Sequence, residues 1–312
     1  MSLEFDLIQR YFSHIGSPIV SEVLLGIGDD AAMVSSAPDP MVITVDTLVE
    51  GIHCFAGDPP ESWAQKALMV NLSDVAAMGA TPFAFLLSLT IPEFDDAWLK
   101  AFSSALNAQA TKANVRLIGG DTTKGPRSVS ITALGSVKDY HALKRSNAQV
   151  DDDIYVTGDI GLAAFYVYAR AKGINPGEHA TKAYLYPEPR LDVGPRLCGL
   201  AHSSIDVSDG LMADLNHILT ASHVGATLTQ DNIPVAKDWF VCPPAEAFER
   251  AVTGGDDYVL CFTAPKSART LLASLATSIE VPMVIIGEII EGSGIWLDDK
   301  PWIGALGYDH FL

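Results

Sequence analysis

What most constrains this chain is its alternation of strand-sized apolar runs with longer stretches of helical spacing, the pattern of a mixed α/β protein. The longest apolar runs, at 84–89 and 281–287, fall far short of the roughly 20 residues that a membrane-crossing helix requires. In the first half, 41–47, 83–90, 115–119 and 129–137 read as strands. Between them Leu99, Phe102, Leu106 and Ala113 recur at helical spacing, and 61–78 forms another helical stretch closed by Gly79. Over 138–153 the pattern weakens into a polar segment ending in three consecutive aspartates, and a fresh strand opens at Ile154. This divides the chain into an N-terminal domain, 1–138, and a C-terminal domain, 139–312. In the second, a helix near 162–172 precedes a passage marked by Pro187, Pro189 and Pro195. The stripe Leu211, Leu215, Ile218 and Leu219 predicts an amphipathic helix over 209–222 with Ser208 as its N-cap. Strands are expected at 258–263 and 283–287, and the aromatic tail 307–311 reads as a loop.

Charge narrows the range of partners. With 38 Asp and Glu against 20 Lys and Arg, the formal charge of −18 repels nucleic-acid phosphates and anionic lipid, so neither nucleic acid nor membrane is an expected partner. A hydrophobic fraction of 48% with 19% charged residues supplies enough apolar surface to offset chain entropy, which excludes a disordered scaffold. The first sixteen residues carry Glu4, Asp6 and Arg10 without a continuous apolar stretch, so no secretory signal is read and a cytoplasmic location is expected. Cys54, Cys198, Cys242 and Cys261 show no CxxC spacing and read as reduced structural thiols.

Many of the acidic residues gather where strands pass into the next element, the place where open α/β sheets bind ligands. The groups are Gly28-Asp-Asp30, Thr44-Val-Asp46, Asn71-Leu-Ser-Asp74, Gly119-Gly-Asp121, Asp206-Val-Ser-Asp-Gly210 and Gly254-Gly-Asp-Asp257. Any one Asp-Gly pair is an ordinary solvated turn, and Asp206 and Asp209 would also suit the start of a helix. Asp74 stands inside a helical pattern, where a carboxylate has no capping role. Converging carboxylates repel unless cations lie between them, and hard oxygen ligands select Mg²⁺, which also bridges phosphates. An acidic chain can thus hold a polyphosphate. Lys144 and Arg145, in the inter-domain segment, are either solvated linker charges or mobile cations able to fold over one. The GxxxxGK[ST], GxGxxG and GxSxG motifs are all absent, which disfavours three common enzyme classes.

In order along the chain, Gly26-Ile-Gly-Asp-Asp30, Asp46-Thr-Leu-Val49, Asn71 to Gly79, Gly119-Gly-Asp-Thr-Thr123, Ile205 to Gly210 and Gly254 to Tyr258 resemble the motifs of the thiamine-monophosphate kinase family. The likeness runs from Phe5 to the 307–311 tail. It implies the two-domain α/β fold of the aminoimidazole ribonucleotide synthetase-like superfamily, with an N-terminal sheet-plus-helices domain for ATP, Mg²⁺ and dimerisation and a C-terminal α/β domain that completes the active site. It further implies Mg²⁺ ligation by Asp30, Thr44, Val45, Asp46, Asp74, Asp121, Asp206 and Asp209. ATP falls to Gly120, Asp121, Arg145 and Ser208, and thiamine monophosphate to His53, Asp256 and Tyr308. The family often shows Ser-Thr-Asp where this chain has Thr44-Val45-Asp46, so a ligand at position 45 must be the backbone carbonyl. Its usual Gly-Gly-Glu-Asp-Tyr is here Gly254-Gly-Asp-Asp-Tyr258, one methylene shorter at the first acid.

The activity implied is ATP-dependent phosphorylation of thiamine monophosphate to thiamine diphosphate, the last step of that synthesis, by direct in-line transfer assisted by several Mg²⁺ ions, in a cytoplasmic homodimer paired through N-terminal-domain sheets. No residue is expected as a general acid or base, because a phosphate monoester, with a second pKa of about 6, is already largely ionised at neutral pH. Two alternatives stand beside this reading. A superfamily relative such as a selenophosphate synthetase would carry a reactive Cys or selenocysteine in a glycine-rich N-terminal segment, and no cysteine precedes Cys54. A non-catalytic nucleotide-binding regulator would be expected to have lost several of the aspartates.

Overall fold

The structure, a computed structural model, describes residues 10–16, 21–25, 33–34, 39–138 and 141–308. The chain forms two compact units, Met1–Val75 with Ala80–Tyr140, and Ala76–Gly79 with His141–Leu312. In the first, β1 (Val23–Leu25) and β2 (Met33–Val34) make a small antiparallel pair. β3 (Met41–Val49) leads into α1 (Pro60–Ala77), β4 (Thr81–Ile91), α2 (Asp96–Lys112), β5 (Arg116–Lys124) and β6 (Ser128–Ser136). The four longer strands form one sheet in the order β3-β6-β4-β5, antiparallel except for the β4/β5 pair. Pro60 opens α1, where its missing amide costs nothing. Trp63, Leu68, Leu72 and Val75 of that helix are wholly buried, as are Phe85 and Leu89 of β4. In α2 the Asp95 side chain caps the Trp98 amide at 3.0 Å, and Leu99, Phe102 and Leu106 form the buried stripe.

The second unit is built on a sheet in the order β13-β12-β9-β11-β7-β10-β8. Its elements run β7 (Asp153–Val156), α3 (Leu162–Ala171), α4 (Gly177–Leu185), α5 (Gly194–Leu197), β8 (Ser203–Asp206), α6 (Leu211–Ser222), β9 (Gly225–Leu228), α7 (Pro244–Thr253), β10 (Leu260–Ala264), α8 (Arg269–Ile279), β11 (Val284–Ile290), β12 (Gly294–Leu297) and β13 (Lys300–Pro301). Both faces of the central strands are covered. Ile154, Val156, Ile205 and Cys261 pack with Leu215 and Ile218 of α6, whereas Tyr155, Leu260 and Phe262 pack with Leu197 and with Leu272 of α8. Every residue of β7, β8 and β10 is buried, including the polar residues of β8 (Ser-Ser-Ile-Asp), of which Ser203 shares a 2.8 Å hydroxyl bond with Thr263 of β10. Within this interior, Asp153 is held by Arg269 through two bonds of 2.6 and 2.7 Å.

Three local expectations change. β5 continues through Lys124 instead of stopping at Gly119, because the β-branched Thr122 and Thr123 extend the ladder beside β4. β11 likewise runs to Ile290. The helix over 211–222 begins after Gly210, which occupies the cap position, so Ser208 is not its N-cap. The amide of Ser208 is satisfied from inside the helix instead, by Asp214.

Candidate active site

In the first unit, alternation along β3 turns Thr44 and Asp46 toward α1 and leaves Ile43 and Val45 on the opposite face. The Thr44 hydroxyl donates to Asp74 Oδ2 at 2.6 Å, and the Asp46 amide donates to Asn71 Oδ1 at 2.8 Å. Asn71 is itself fixed by its own side-chain amide on the Ala67 carbonyl, 2.9 Å away. Thr44, Asp46 and Asp74 are therefore brought together by one strand and one helix, with the Asp46 residue exposed. Val45 is 60% exposed on the outer face, so only a carbonyl of this edge strand can serve as a ligand at that position.

His53 lies in the turn after β3, where the Val49 amide donates to its Nδ1 at 3.1 Å and Lys66 Nζ donates to its carbonyl at 3.2 Å. A neutral ring that accepts at Nδ1 carries its proton on Nε2, which makes Nε2 a donor. Gly120 has no room for a side chain, since a Cβ there would stand 1.9 Å from the Leu87 carbonyl oxygen. Asp121 aligns with Ser88, and Ser88 and Thr47 both align with Ser130, so these residues form one row across the sheet. That row is on the face opposite Asp46. Three strand spacings, about 14 Å, separate β3 from β5, so within one sheet Asp46 and Asp121 do not meet. Asp30 lies outside the described residues.

In the second unit, one sheet end collects Asp206, Ser208, Asp209, Asp256 and Tyr308. Asp206 is the buried last residue of β8, and the loop that follows is tied on both sides of its backbone. The carbonyls of Val207, Ser208 and Asp209 accept from the amides of Tyr258 (2.8 Å), Asp256 (2.9 Å) and Tyr308 (3.0 Å) respectively. The amides of Ser208 and Asp209 both donate to Asp214 Oδ2, at 2.9 and 3.1 Å. Three separate segments thus meet on three consecutive peptide units.

Asp256 sits at φ +69°, a conformation that Asp tolerates better than Glu, and one of its oxygens accepts from the Tyr258 phenol at 2.6 Å. Tyr308 is 54% exposed, and residues 309–311 of the expected aromatic tail lie outside the described residues. Arg145 stands in a short 3₁₀ turn whose backbone is stitched down: the Ser204 amide donates to the Lys144 carbonyl, and the Ser222 hydroxyl donates to the Arg145 carbonyl at 2.8 Å. Its side chain is exposed.

Two acids of this region escape a reading of the motifs for ligands. Asp214 is 3% exposed, and its carboxyl is pushed up to about 7, first by burial and then by the neighbouring Asp209 charge, against the downward pull of the loop amides. Burial raises the Asp257 carboxyl well above its usual range, although the Gly161 amide donates to both of its oxygens, at 2.9 and 3.0 Å. The signal for Asp214 was present in the sequence. It falls on the apolar stripe of α6, between Leu211 and Ile218, where a carboxylate has no reason to be unless something inside binds it.

Whether the donors suit Mg²⁺ can be tested on their chemistry. Among the described residues, no three His, Cys, Asp or Glu side chains stand together as a ready-made cage. Mg²⁺ does not ask for one, since it keeps several waters and takes one or two carboxylates plus substrate phosphates. The hydroxyl and carboxylate oxygens of Thr44, Asp46 and Asp74 match that requirement, and so do Asp206 and Asp209.

Residues 28–137 match the family model for the AIR synthase related protein N-terminal domain, and 149–300 the model for its C-terminal domain. The chain is 40% identical over 319 residues to the thiamine-monophosphate kinase of Escherichia coli K12, covering 99% of this chain and 98% of that one. The chain belongs to the thiamine-monophosphate kinase family. A crystal structure of thiamine-monophosphate kinase from Stenotrophomonas maltophilia K279a has 41% identity and a TM-score of 0.86, over 90% of this chain and 93% of that one. AaThiL complexed with AMPPCP and TMP superposes at 0.79 with 28% identity, over 91% and 92%. Family membership establishes the two-domain α/β architecture of the chain.

Proposed function

We propose that this protein transfers the γ-phosphoryl group of ATP onto the phosphate of thiamine monophosphate, giving thiamine diphosphate and ADP. One observation carries the reading. The loop 207–209 gathers Ser208, Asp209, Asp256 and Tyr308 onto three peptide units beside Asp206, in a chain whose family has a member bound to AMPPCP and TMP together. Residues assigned to metal, nucleotide and thiamine thus share one backbone.

In this reading Thr44, Asp46, Asp74, Asp206 and Asp209, with Asp30 and the Val45 carbonyl, hold Mg²⁺, which when bound neutralises charge between two anionic phosphates. Ser208, Gly120 and Arg145 receive ATP. His53 offers its Nε2 proton to the thiamine phosphate, and Tyr308 offers its exposed ring to the cationic thiazolium. No side chain has to remove a proton from the acceptor, because its attacking oxygen is already ionised. Catalysis is then alignment of two phosphates together with electrostatic stabilisation.

The homodimer belongs to the same proposal. Met41 (40% exposed), Ile43 (62%), Val45 (60%) and Leu86 (36%) form an apolar strip on the open face of the first unit's sheet, as a second copy would require. Asp121 stands on that same face, so we assign its reach toward nucleotide to the paired state. All four cysteines are free thiols, which supports a reducing, cytoplasmic setting. The test is incubation with ATP and Mg²⁺ and either thiamine monophosphate or free thiamine, followed by mass spectrometry. Thiamine diphosphate is expected from the first acceptor and no phosphorylated product from the second; equal conversion of both would overturn direct phosphate-to-phosphate transfer.

A further inference from the structure

Asp214, on α6, holds the loop 207–209 by two of its backbone amides. Asp214 is 3% exposed, no cation pairs with it in any described contact, and the Ser208 and Asp209 amides both donate to one of its oxygens, Oδ2. A buried carboxylate without a cation is costly, and a hydrophobic residue would suit the stripe of α6 better if that helix had only to pack. What the carboxylate secures is the direction of two peptide planes. Ser208 and Asp209 hang from those planes, and the carbonyls of the same short stretch carry Asp256, Tyr258 and Tyr308. We propose that Asp214 is a positioning residue of the transfer reaction: by taking the amides of Ser208 and Asp209 it sets the angle at which this loop presents its side chains to nucleotide and metal, and it keeps the attached thiamine segments in register.

The inference rests on the function proposed above, so one measurement must be independent of turnover. Because both bonds use a single oxygen, Asp214→Asn can keep them with its amide oxygen, whereas Asp214→Ala and Asp214→Thr cannot reach. Amide hydrogen exchange on the full-length protein should show faster exchange of Ser208 and Asp209 by tenfold or more in the Ala and Thr variants and near-parental exchange in the Asn variant. In steady-state assays the two truncated variants should lower kcat and raise the Mg²⁺ concentration for half-maximal rate, each by about tenfold or more, with Asp214→Asn within about threefold of the parent. Using two truncations guards against one that fails to fold. If the truncated variants merely melt earlier while exchange, kcat and Mg²⁺ dependence stay unchanged, Asp214 is a packing residue and the proposal fails. If the Asn and Ala variants fall equally, the positioning account also fails. A parent protein that makes no thiamine diphosphate would overturn the functional reading, while the exchange experiment would still decide whether Asp214 holds the loop.

Discussion

Gly255→Ala is the sharpest single perturbation of the shared loop. An alanine Cβ at this position would stand 2.0 Å from the Ser208 carbonyl oxygen and 3.0 Å from its carbon. Opening the first contact to an ordinary 3.4 Å requires a displacement of about 1.4 Å, and the obstacle is backbone on both sides, so no side chain can swing away to relieve it. The Asp256 amide, 2.9 Å from that same carbonyl, cannot follow and keep its bond. Overpacking of this kind costs about 1–3 kcal/mol and the lost hydrogen bond about 0.5–1.5, together about 1.5–4.5 kcal/mol. For a domain of this size, that lowers the melting temperature by about 3–18 °C, measurable by differential scanning calorimetry. In kinetics, the Michaelis constants for ATP and thiamine monophosphate should rise together, because Ser208 and Asp256 are pushed apart by one atom. A melting temperature within about 2 °C of the parent, with both constants unchanged, would refute the account of the loop as a rigid junction.

Asp46→Asn and Asp74→Asn keep shape while removing charge, and each should raise the Mg²⁺ requirement and cut turnover about tenfold or more, equivalent to roughly 1.4 kcal/mol; unchanged Mg²⁺ titrations in both would remove these residues from the metal site. Tyr308→Ala should raise the Michaelis constant for thiamine monophosphate about five- to thirtyfold by losing roughly 1–2 kcal/mol of stacking, with that for ATP nearly constant, whereas a fall in melting temperature with both constants intact would mean that the ring only packs. Since the Asp257 carboxyl is raised on folding, its contribution to stability is complete below the unfolded value of about 4 and is lost as pH climbs through the folded value. Melting temperature should therefore decline more steeply from pH 5 to 8 in the parent than in Asp257→Asn, and parallel curves would count against that assignment. With no protein base required, kcat/KM for thiamine monophosphate should rise with ionisation of the substrate phosphate near pH 6 and then level; a further ascending limb above pH 7 would indicate a catalytic base.

How far the sequence carries such reasoning depends on whether a feature is local. The α6 stripe and the helix through Asp74 are written in periodicity and survive with small shifts at their ends, and the polar stretch before Ile154 is plain in composition. The acidic motifs divide differently. Asp206, Asp209 and Asp256 do lie where strands end, as junction residues should. Asp46 and Asp121 instead lie within β3 and β5, and Asp74 within α1, because pairing with neighbouring strands extends a segment past the point where Gly and Asp suggest a stop. Strand order was not readable at all. It decides that Asp46 and Asp74 meet while Asp121 faces away, and neither residue spacing nor propensity encodes which strand stands between two others. β9, β12, α7 and α8 carry no clear sequence signal for a related reason: β9 and β12 have only four residues each, too short for a period, and α7 and α8 mix small and polar residues until tertiary packing selects a face.

Under the proposed function, the excess of negative charge, which looks unsuited to binding two phosphorylated substrates, is compatible with the kind of acceptor. An enzyme that phosphorylates a hydroxyl must generate an oxyanion and needs a base tuned to do so. When the acceptor is a phosphate, the anion is present at the outset, and the remaining barrier is the approach of two anions. A row of lysines could lower that barrier, but flexible point charges do not fix the line of attack. Under the proposed function, carboxylates on β3, α1 and the end of β8 are held by their own backbones, and cations gathered on them would be fixed in direction as well as in charge. In the second unit the loop 207–209 is fixed by its backbone, two of its carbonyls holding the 256–258 segment and the third holding Tyr308. Rigid oxygen donors with mobile cations, in place of mobile basic side chains, would on this proposal reconcile an acidic chain with a chemistry in which no titratable base has to be poised.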